Sequence, residues 1–274
     1  MRSLDEHIPD ERPSVPTSDG APPGGRGISA TPWTLRQMVI GATATLVPWL
    51  AFSIGATLLS GGVTAGVTTA PSALQDAIGG VVAFILSALL EGIFLIAPAI
   101  VIFSRRLPEA PFRERMRWLG FCATPLLPAV GVILVALVIG LGGSLLYSQL
   151  IAIFHLPIQT NSETLLKEGR AAPLTTIGLL AAAAFVAPFC EEIFFRSFIF
   201  VGLLKRMPLW PSVILSALIF GIAHADVGSF MPLFLIGLAL AWARWRSDSI
   251  WPGIVIHAIN NTAAALFLLP LLLK

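Results

Sequence analysis

The stretch LTTIGLLAAAAFVAPFCEEIFFRSFIFVGLL, residues 174–204, is apolar along its length and carries charge only at Glu191, Glu192 and Arg196. A bilayer core about 30 Å thick requires roughly 20 apolar residues in helical conformation, so this stretch is long enough to cross a membrane. Ionisable side chains are costly inside a bilayer, and those that occur there are usually functional. The stretch therefore predicts a membrane helix with chemistry near its middle.

The composition of the whole chain is typical of a membrane protein. Of its 274 residues, 56% are hydrophobic and 12% are charged, whereas soluble domains carry roughly 25% charged residues. No cluster of basic and aromatic residues suggests a nucleic-acid partner. Pro125 and Pro128 allow one extra break in a long apolar run. The apolar runs predict an all-α bundle of about seven to eight transmembrane helices, with spans at 34–59, 78–103, 118–150, 174–204, 211–225, 231–245 and 250–272.

Basic residues predict the orientation of these spans, because cytoplasmic loops carry an excess of Lys and Arg. If the N-terminus is cytoplasmic and the chain crosses the membrane seven times, all four groups of basic residues fall on the cytoplasmic side. These groups precede span one and follow spans two, four and six, and they include Arg36, residues 105–117, Lys205 and Arg244. Residues 1–32, rich in Pro, Gly, Ser and charge, predict a disordered cytoplasmic tail, and residues 33–173 predict the N-terminal transmembrane helices.

The spacing of the three central charges assigns them different roles. Glu192 and Arg196 are four residues apart, so they share a helix face and are expected to form a structural ion pair. Glu191 points elsewhere and has no local counter-charge, which suits a general base. Glu91, in the second span, is an expected partner lying behind this site.

Histidines and asparagines in the later spans add candidate catalytic groups. Phe220 lies one turn before His224 and is expected to pack against its ring. His257 shares a face with Asn261, and Asn260 is nearly as close. A histidine and an asparagine side by side can donate two hydrogen bonds to one oxygen, as an oxyanion hole requires.

Three short motifs in this half of the chain resemble those of the CPBP family (CAAX protease and bacteriocin-processing, or Abi) of intramembrane proteases. The resemblance covers about residues 174–272, within a catalytic region at 174–274. The motifs are Glu191-Glu192-x-x-x-Arg196, Phe220-x-x-x-His224 and His257-x-x-x-Asn261.

The resemblance implies an endopeptidase for membrane-associated peptide or protein substrates, similar to CAAX prenyl proteases, in a helical bundle with a buried polar cavity. Glu191 and His224 would activate a water molecule, and His257 and Asn261 would stabilise the oxyanion. The Glu192–Arg196 pair would hold the helix. The expected location is the lipid bilayer of a bacterial inner membrane, with the N-terminus in the cytoplasm.

The same residues leave the cofactor and two other functions open. No H-E-x-x-H zinc motif occurs, but spacing does not separate a metal-free site from a zinc site, because the three side chains lie on different helices. Asn261 has a natural role in the metal-free version, so no cofactor is favoured. The alternative is one Zn²⁺ held by Glu191, His224 and His257. One alternative hypothesis is a non-catalytic protein that acts in membrane interactions or immunity. A third reading is a proton-linked transporter, since such proteins use buried Glu and His side chains.

Overall fold

The computed structural model describes residues 28, 31–63, 71–158, 165–166 and 169–273, and every regular element within these ranges is helical. The expected all-α membrane bundle is therefore confirmed. A π-helical segment spans Glu192–Phe200. The helices are α1 (Leu35–Val63), α2 (Ala73–Glu91), α3 (Ile93–Ile102), α4 (Phe112–Trp118), α5 (Leu126–Ile153), α6 (Pro173–Phe185), α7 (Ala187–Glu191), α8 (Val201–Leu204), α9 (Leu209–Ala223), α10 (Phe230–Ser247) and α11 (Trp251–Leu272).

Five stretches of the described residues are long and apolar enough to cross a membrane, fewer than the seven to eight predicted spans. They are Leu35–Gly55, Ala73–Ile102, Leu126–Ile153, Pro173–Leu204 and Trp251–Leu272. The predicted spans 211–225 and 231–245 correspond to α9 and α10, which have 15 and 18 residues. The predicted span 118–150 begins too early, because α4 ends at Trp118 and α5 begins only after Pro125.

The π-helical segment forms the centre of the bundle. Its side chains Phe194, Phe195, Phe198, Ile199 and Phe200 are all fully buried. The helix that leads into it is interrupted at residue 186, two residues before a proline, which cannot continue the backbone hydrogen-bond ladder. Single-turn π-helical bulges within helices occur frequently at functional sites, and this longer π-helical segment begins directly after Glu191.

Helices α2 and α6 pack closely and are joined by an aspartate. The Asp76 carboxylate, in the first turn of α2, accepts hydrogen bonds from the backbone N–H groups of Leu174 (2.9 Å) and Thr175 (2.8 Å). It therefore caps the N-terminus of α6, where backbone N–H groups have no partner within their own helix. One turn further along, Gly80 and Gly178 allow the two backbones to touch.

The four basic segments meet at one end of the bundle. The Lys205 ammonium, just after α8, donates to the carbonyl of Trp33, just before α1. The N–H of Ile28 donates to Asp248, in the turn after α10 (2.9 Å). The carbonyl of Gly120, after α4, accepts from the backbone at the start of α11 (2.8 Å). Most of the predicted disordered tail, residues 1–32, lies outside the described residues, but its described part packs against the core.

Candidate active site

Three side chains from separate elements meet inside the bundle. Glu191 ends α7 and is 6% exposed, and His257, in α11, is 3% exposed. His224 follows the last residue of α9. The Glu191 Oε2 atom lies 3.9 Å from Nε2 of His224 and 3.9 Å from Nε2 of His257. These distances are too long for hydrogen bonds, but they place one carboxylate between two imidazoles.

The orientation of the His224 ring is fixed by Phe220. The His224 Nδ1 atom is 2.8 Å from the Phe220 carbonyl oxygen. A carbonyl only accepts, so Nδ1 carries a hydrogen, and Nε2 of the neutral ring presents its lone pair towards Glu191. The two rings also make an edge contact, with centroids 4.7 Å apart. The contact expected from their four-residue spacing is present.

Glu192 has two partners rather than one. Its Oε1 atom lies 3.4 Å from Nε of Arg196, and both side chains are fully buried. The ion pair expected from the spacing is thus present. The same Oε1 atom lies 3.2 Å from Nδ1 of His257. Glu192 therefore orients the His257 ring so that Nε2 faces Glu191, a contact between distant parts of the chain that spacing did not reveal.

The buried arginine is held by charge and by an aromatic face. The guanidinium carbon of Arg196 lies 4.2 Å from the centroid of the Phe220 ring, a favourable cation–π distance. The Phe220 ring also contacts His257, with centroids 5.7 Å apart. One phenylalanine therefore packs against the arginine and both histidines, and it fixes their relative positions.

A cavity of about 110 Å³ opens beside Glu191, with room for several water molecules. The His224 side chain is 29% exposed and that of Glu191 is 7% exposed, so His224 lies nearer the surface and Glu191 lies deeper. Glu91, which was expected to lie behind the site, lines the same cavity as Glu191. The cavity is lined by Trp49, Ser53, Glu91, Phe94, Glu191, Phe195, Ala223 and His224.

Sequence reasoning missed the contribution of α1 to this cavity. The indole Nε1–H of Trp49 donates to the Ala223 carbonyl (2.9 Å) and so fastens α1 to the end of α9, next to His224. Ser53 lies one turn further along α1 and lines the cavity as well. A tryptophan and a serine spaced one turn apart in an apolar helix are a weak signal, and they do not by themselves indicate a site.

The two asparagines are hydrogen-bonded to groups other than the Glu191 carboxylate. The Asn261 amide nitrogen donates to the Ala183 carbonyl of α6 (2.8 Å). The Asn260 amide nitrogen donates to Oδ1 of Asn261 (3.3 Å). The structure thus brings Glu191, His224 and His257 together, whereas Asn261 bridges α11 to α6. One hydrogen of the Asn261 amide group is not used by Ala183.

The three convergent side chains match zinc in type but not in spacing. Two histidines and one glutamate are a common donor set for catalytic zinc, and ligand atoms about 2.0–2.2 Å from the metal lie roughly 3.4 Å apart in a tetrahedron. The corresponding distances here are 3.9 Å. Within the described ranges, no group of three or more His, Cys, Asp and Glu side chains is arranged to hold a metal ion. As these side chains stand, they do not fit zinc.

Comparison with known proteins finds a family model that matches this part of the chain. Residues 173–263 match the family described as "Type II CAAX prenyl endopeptidase Rce1-like", and this region contains all three convergent side chains. The chain is also 31% identical over 102 residues to "Putative membrane peptidase YdiL" of Bacillus subtilis (strain 168). That match covers 37% of this chain and 40% of the relative, so the chain spans less than half of the relative's length. No solved structure matches.

Proposed function

We propose that this chain, whose residues 173–263 match the family described as "Type II CAAX prenyl endopeptidase Rce1-like", is an intramembrane endopeptidase acting through Glu191 and a water molecule. One observation carries the proposal. The Glu191 carboxylate is buried, borders a cavity, and stands 3.9 Å from two imidazole nitrogens that come from different helices. A carboxylate and a histidine around a small cavity are suited to general acid–base catalysis.

In this mechanism Glu191 takes a proton from a water molecule in the cavity. The water oxygen bonds to the carbonyl carbon of the peptide, and the carbonyl oxygen becomes negatively charged. His224, nearer the surface, is the second proposed catalytic group, and its Nε2 atom faces the Glu191 carboxylate at 3.9 Å. Collapse of the intermediate breaks the carbon–nitrogen bond, and the proton held by Glu191 passes to the departing amine.

The oxyanion requires donors, and His257 and Asn261 are the proposed ones. His257 already donates from Nδ1 to Glu192, so donation from Nε2 requires a ring with hydrogens on both nitrogens. Asn261 already donates to Ala183, so its second amide hydrogen is the one assigned to the oxyanion. Both roles follow from the family resemblance and from the unused hydrogen on Asn261.

The proposed substrates are membrane-associated peptides or protein segments, with prenylated C-terminal tails as the first candidates. The cavity of about 110 Å³ is far too small for a folded domain, so an extended segment must approach from the His224 side. The proposed location is a bacterial inner membrane with the N-terminus in the cytoplasm. We propose a metal-free reaction, since the donor atoms are spaced too widely for zinc.

The test is a cleavage assay on the full chain reconstituted in liposomes, with a panel of prenylated and unprenylated peptides. Glu191→Gln removes the proton acceptor and keeps the shape, so we expect cleavage to fall by at least about a hundredfold. Glu114→Gln, the same change at an exposed residue of α4, is the matched control and should leave the rate unchanged. Full activity in Glu191→Gln would contradict the proposal.

A chelator arm tests the metal-free chemistry. We expect a metal chelator to leave the rate unchanged. If activity is lost on chelation and recovers when zinc is added, the peptidase assignment stands, but the metal-free mechanism is wrong. A parent chain that binds peptides and cleaves none would favour the membrane interaction protein instead.

A further inference from the structure

Glu91 is a partly buried acid within a candidate membrane span, and one of its carboxyl oxygens has no hydrogen-bond partner among the described residues. It is the last residue of α2, within the span Ala73–Ile102. Its Oε2 atom is buried and receives no hydrogen bond from any described group. A carboxylate oxygen in this position costs free energy unless a donor satisfies it. The position therefore calls for a donor that approaches from the cavity.

The Glu191 carboxylate shows the same feature. Its Oε2 atom is also buried and also lacks a hydrogen-bond donor within the described chain. Glu91 and Glu191 line one cavity of about 110 Å³. Two unsatisfied acceptors that border one small space match a ligand with two donor hydrogens. A water molecule has two such hydrogens, and several fit in this volume.

The other polar groups of the cavity wall do not supply these hydrogens. The indole N–H of Trp49 already donates to the Ala223 carbonyl. The Nδ1–H of His224 already donates to Phe220. No lysine or arginine is among the residues that line the cavity. The Ser53 hydroxyl already donates to the Trp49 carbonyl (2.9 Å). These groups leave a molecule inside the cavity as the donor.

We propose that Glu91 is a further catalytic residue, which accepts one hydrogen of the hydrolytic water while Glu191 accepts the other. The chemical part of this inference rests on the proposed peptidase function. Holding both hydrogens directs an oxygen lone pair of the water at the peptide carbonyl, and such orientation lowers the barrier to attack. When the carbon–oxygen bond forms, one proton moves to Glu191. The other stays on the attacking oxygen and remains hydrogen-bonded to Glu91.

The first measurement does not need catalysis. A high-resolution crystal structure of the full parent chain should show a water molecule within hydrogen-bonding distance of both Glu91 and Glu191. The same site in Glu91→Leu should have lost that water or show it displaced. A dry cavity in the parent, or a Glu91 carboxylate paired with a cation, would overturn the proposal.

The second measurement is kinetic. We expect Glu91→Leu to lower kcat by about a hundredfold, the lower end for groups that handle a reacting proton, with KM and melting temperature near those of the parent. The kcat of Glu91→Gln should lie between those of the parent and Glu91→Leu, because glutamine keeps one acceptor oxygen. Glu109→Leu, the same change at an exposed residue, is the matched control. A structural role alone would lower the melting temperature and would not separate kcat from KM in this way.

The two measurements separate this proposal from the peptidase assignment. A parent that cleaves peptides and a Glu91→Leu variant with the parent kcat would overturn the role of Glu91 and keep the peptidase. A parent that cleaves nothing would overturn the peptidase. The bridging water in the crystal structure then decides alone whether Glu91 and Glu191 share a ligand.

Discussion

At the scale of single residues, Glu192 connects the stability of the bundle to the geometry of the site. Its carboxylate lies against the guanidinium of Arg196 (3.4 Å) and against the imidazole of His257 (3.2 Å). Gly253 passes so close that an added Cβ atom would lie 2.7 Å from Glu192 Oε2. The side chain therefore has little freedom to move, and the ring that it orients has little freedom either.

Replacing Glu192 by alanine should destabilise the protein strongly. Arg196 is fully buried, and the carboxylate is its nearest counter-charge. Removing one partner of a buried ion pair costs about 3–5 kcal/mol. The melting temperature of the detergent-solubilised protein should fall clearly, while Glu109→Ala, at an exposed site, should not change it. An unchanged melting temperature in Glu192→Ala would show that the pair does not stabilise the fold.

Exchanging the two charges should rescue only part of this loss. Glu192→Arg with Arg196→Glu restores an ion pair along the helix. An arginine at position 192, however, cannot accept the hydrogen bond from His257 Nδ1. Stability should therefore recover partly, whereas cleavage should not recover.

The contacts that sequence spacing predicted are those within one helix. Four-residue spacing predicted the Glu192–Arg196 and Phe220–His224 contacts, because residues four apart share a helix face whatever surrounds them. It did not predict that His257 would meet Glu192 or that Asn261 would bond to α6. Those contacts depend on the depth and rotation of one helix against another, and the period of a single helix does not specify them.

At the scale of elements, the packing of α2 on α6 sets the separation of the two acids. Helix α2 ends at Glu91, and α6 leads through the short α7 to Glu191. Asp76 fixes the relative height of the two helices, since it caps α6 from the first turn of α2. The glycine contact one turn later fixes their distance. A change in this contact should therefore alter both stability and activity.

Gly178→Ala tests that contact. An added Cβ atom at this position would lie 2.1 Å from the backbone oxygen of Gly80, so one helix must move. Overpacking of this kind typically costs about 1–3 kcal/mol. We expect a lower melting temperature and a lower cleavage rate. Gly142→Ala, in α5, meets nothing within 4 Å and should behave as the parent does. Equal melting temperatures for the two variants would show that the helices separate at no cost.

At the scale of the whole molecule, hydropathy located the apolar helices, and five of the seven predicted spans are long and apolar enough to cross a membrane. The other two spans correspond to α9 and α10, and His224 directly follows α9. Hydropathy alone does not distinguish a helix that crosses a bilayer from one buried inside a bundle, because both kinds of helix are apolar on all sides. The π-helical segment was also not predictable, since its backbone geometry has no periodic signature in the sequence.

The clustering of basic segments at one end supports a specific orientation. The segment before α1 is bonded to Lys205 and to Asp248, and Gly120 is bonded to the start of α11. These segments therefore lie at one end of the bundle, and the excess of Lys and Arg predicts that this end faces the cytoplasm. The loop between α1 and α2, which has no basic residue, should lie on the opposite side.

Cysteine labelling in cells checks this orientation. In a background with Cys122→Ser and Cys190→Ala, single cysteines are introduced as Ser14→Cys, Pro71→Cys and Glu109→Cys. A membrane-impermeant maleimide should label position 71 from outside intact cells, and positions 14 and 109 only in inverted vesicles. Labelling of 14 and 109 from opposite sides would contradict the shared end of the bundle. Labelling of both from outside, with 71 protected, would reverse the orientation and place the charged end of the bundle away from the cytoplasm.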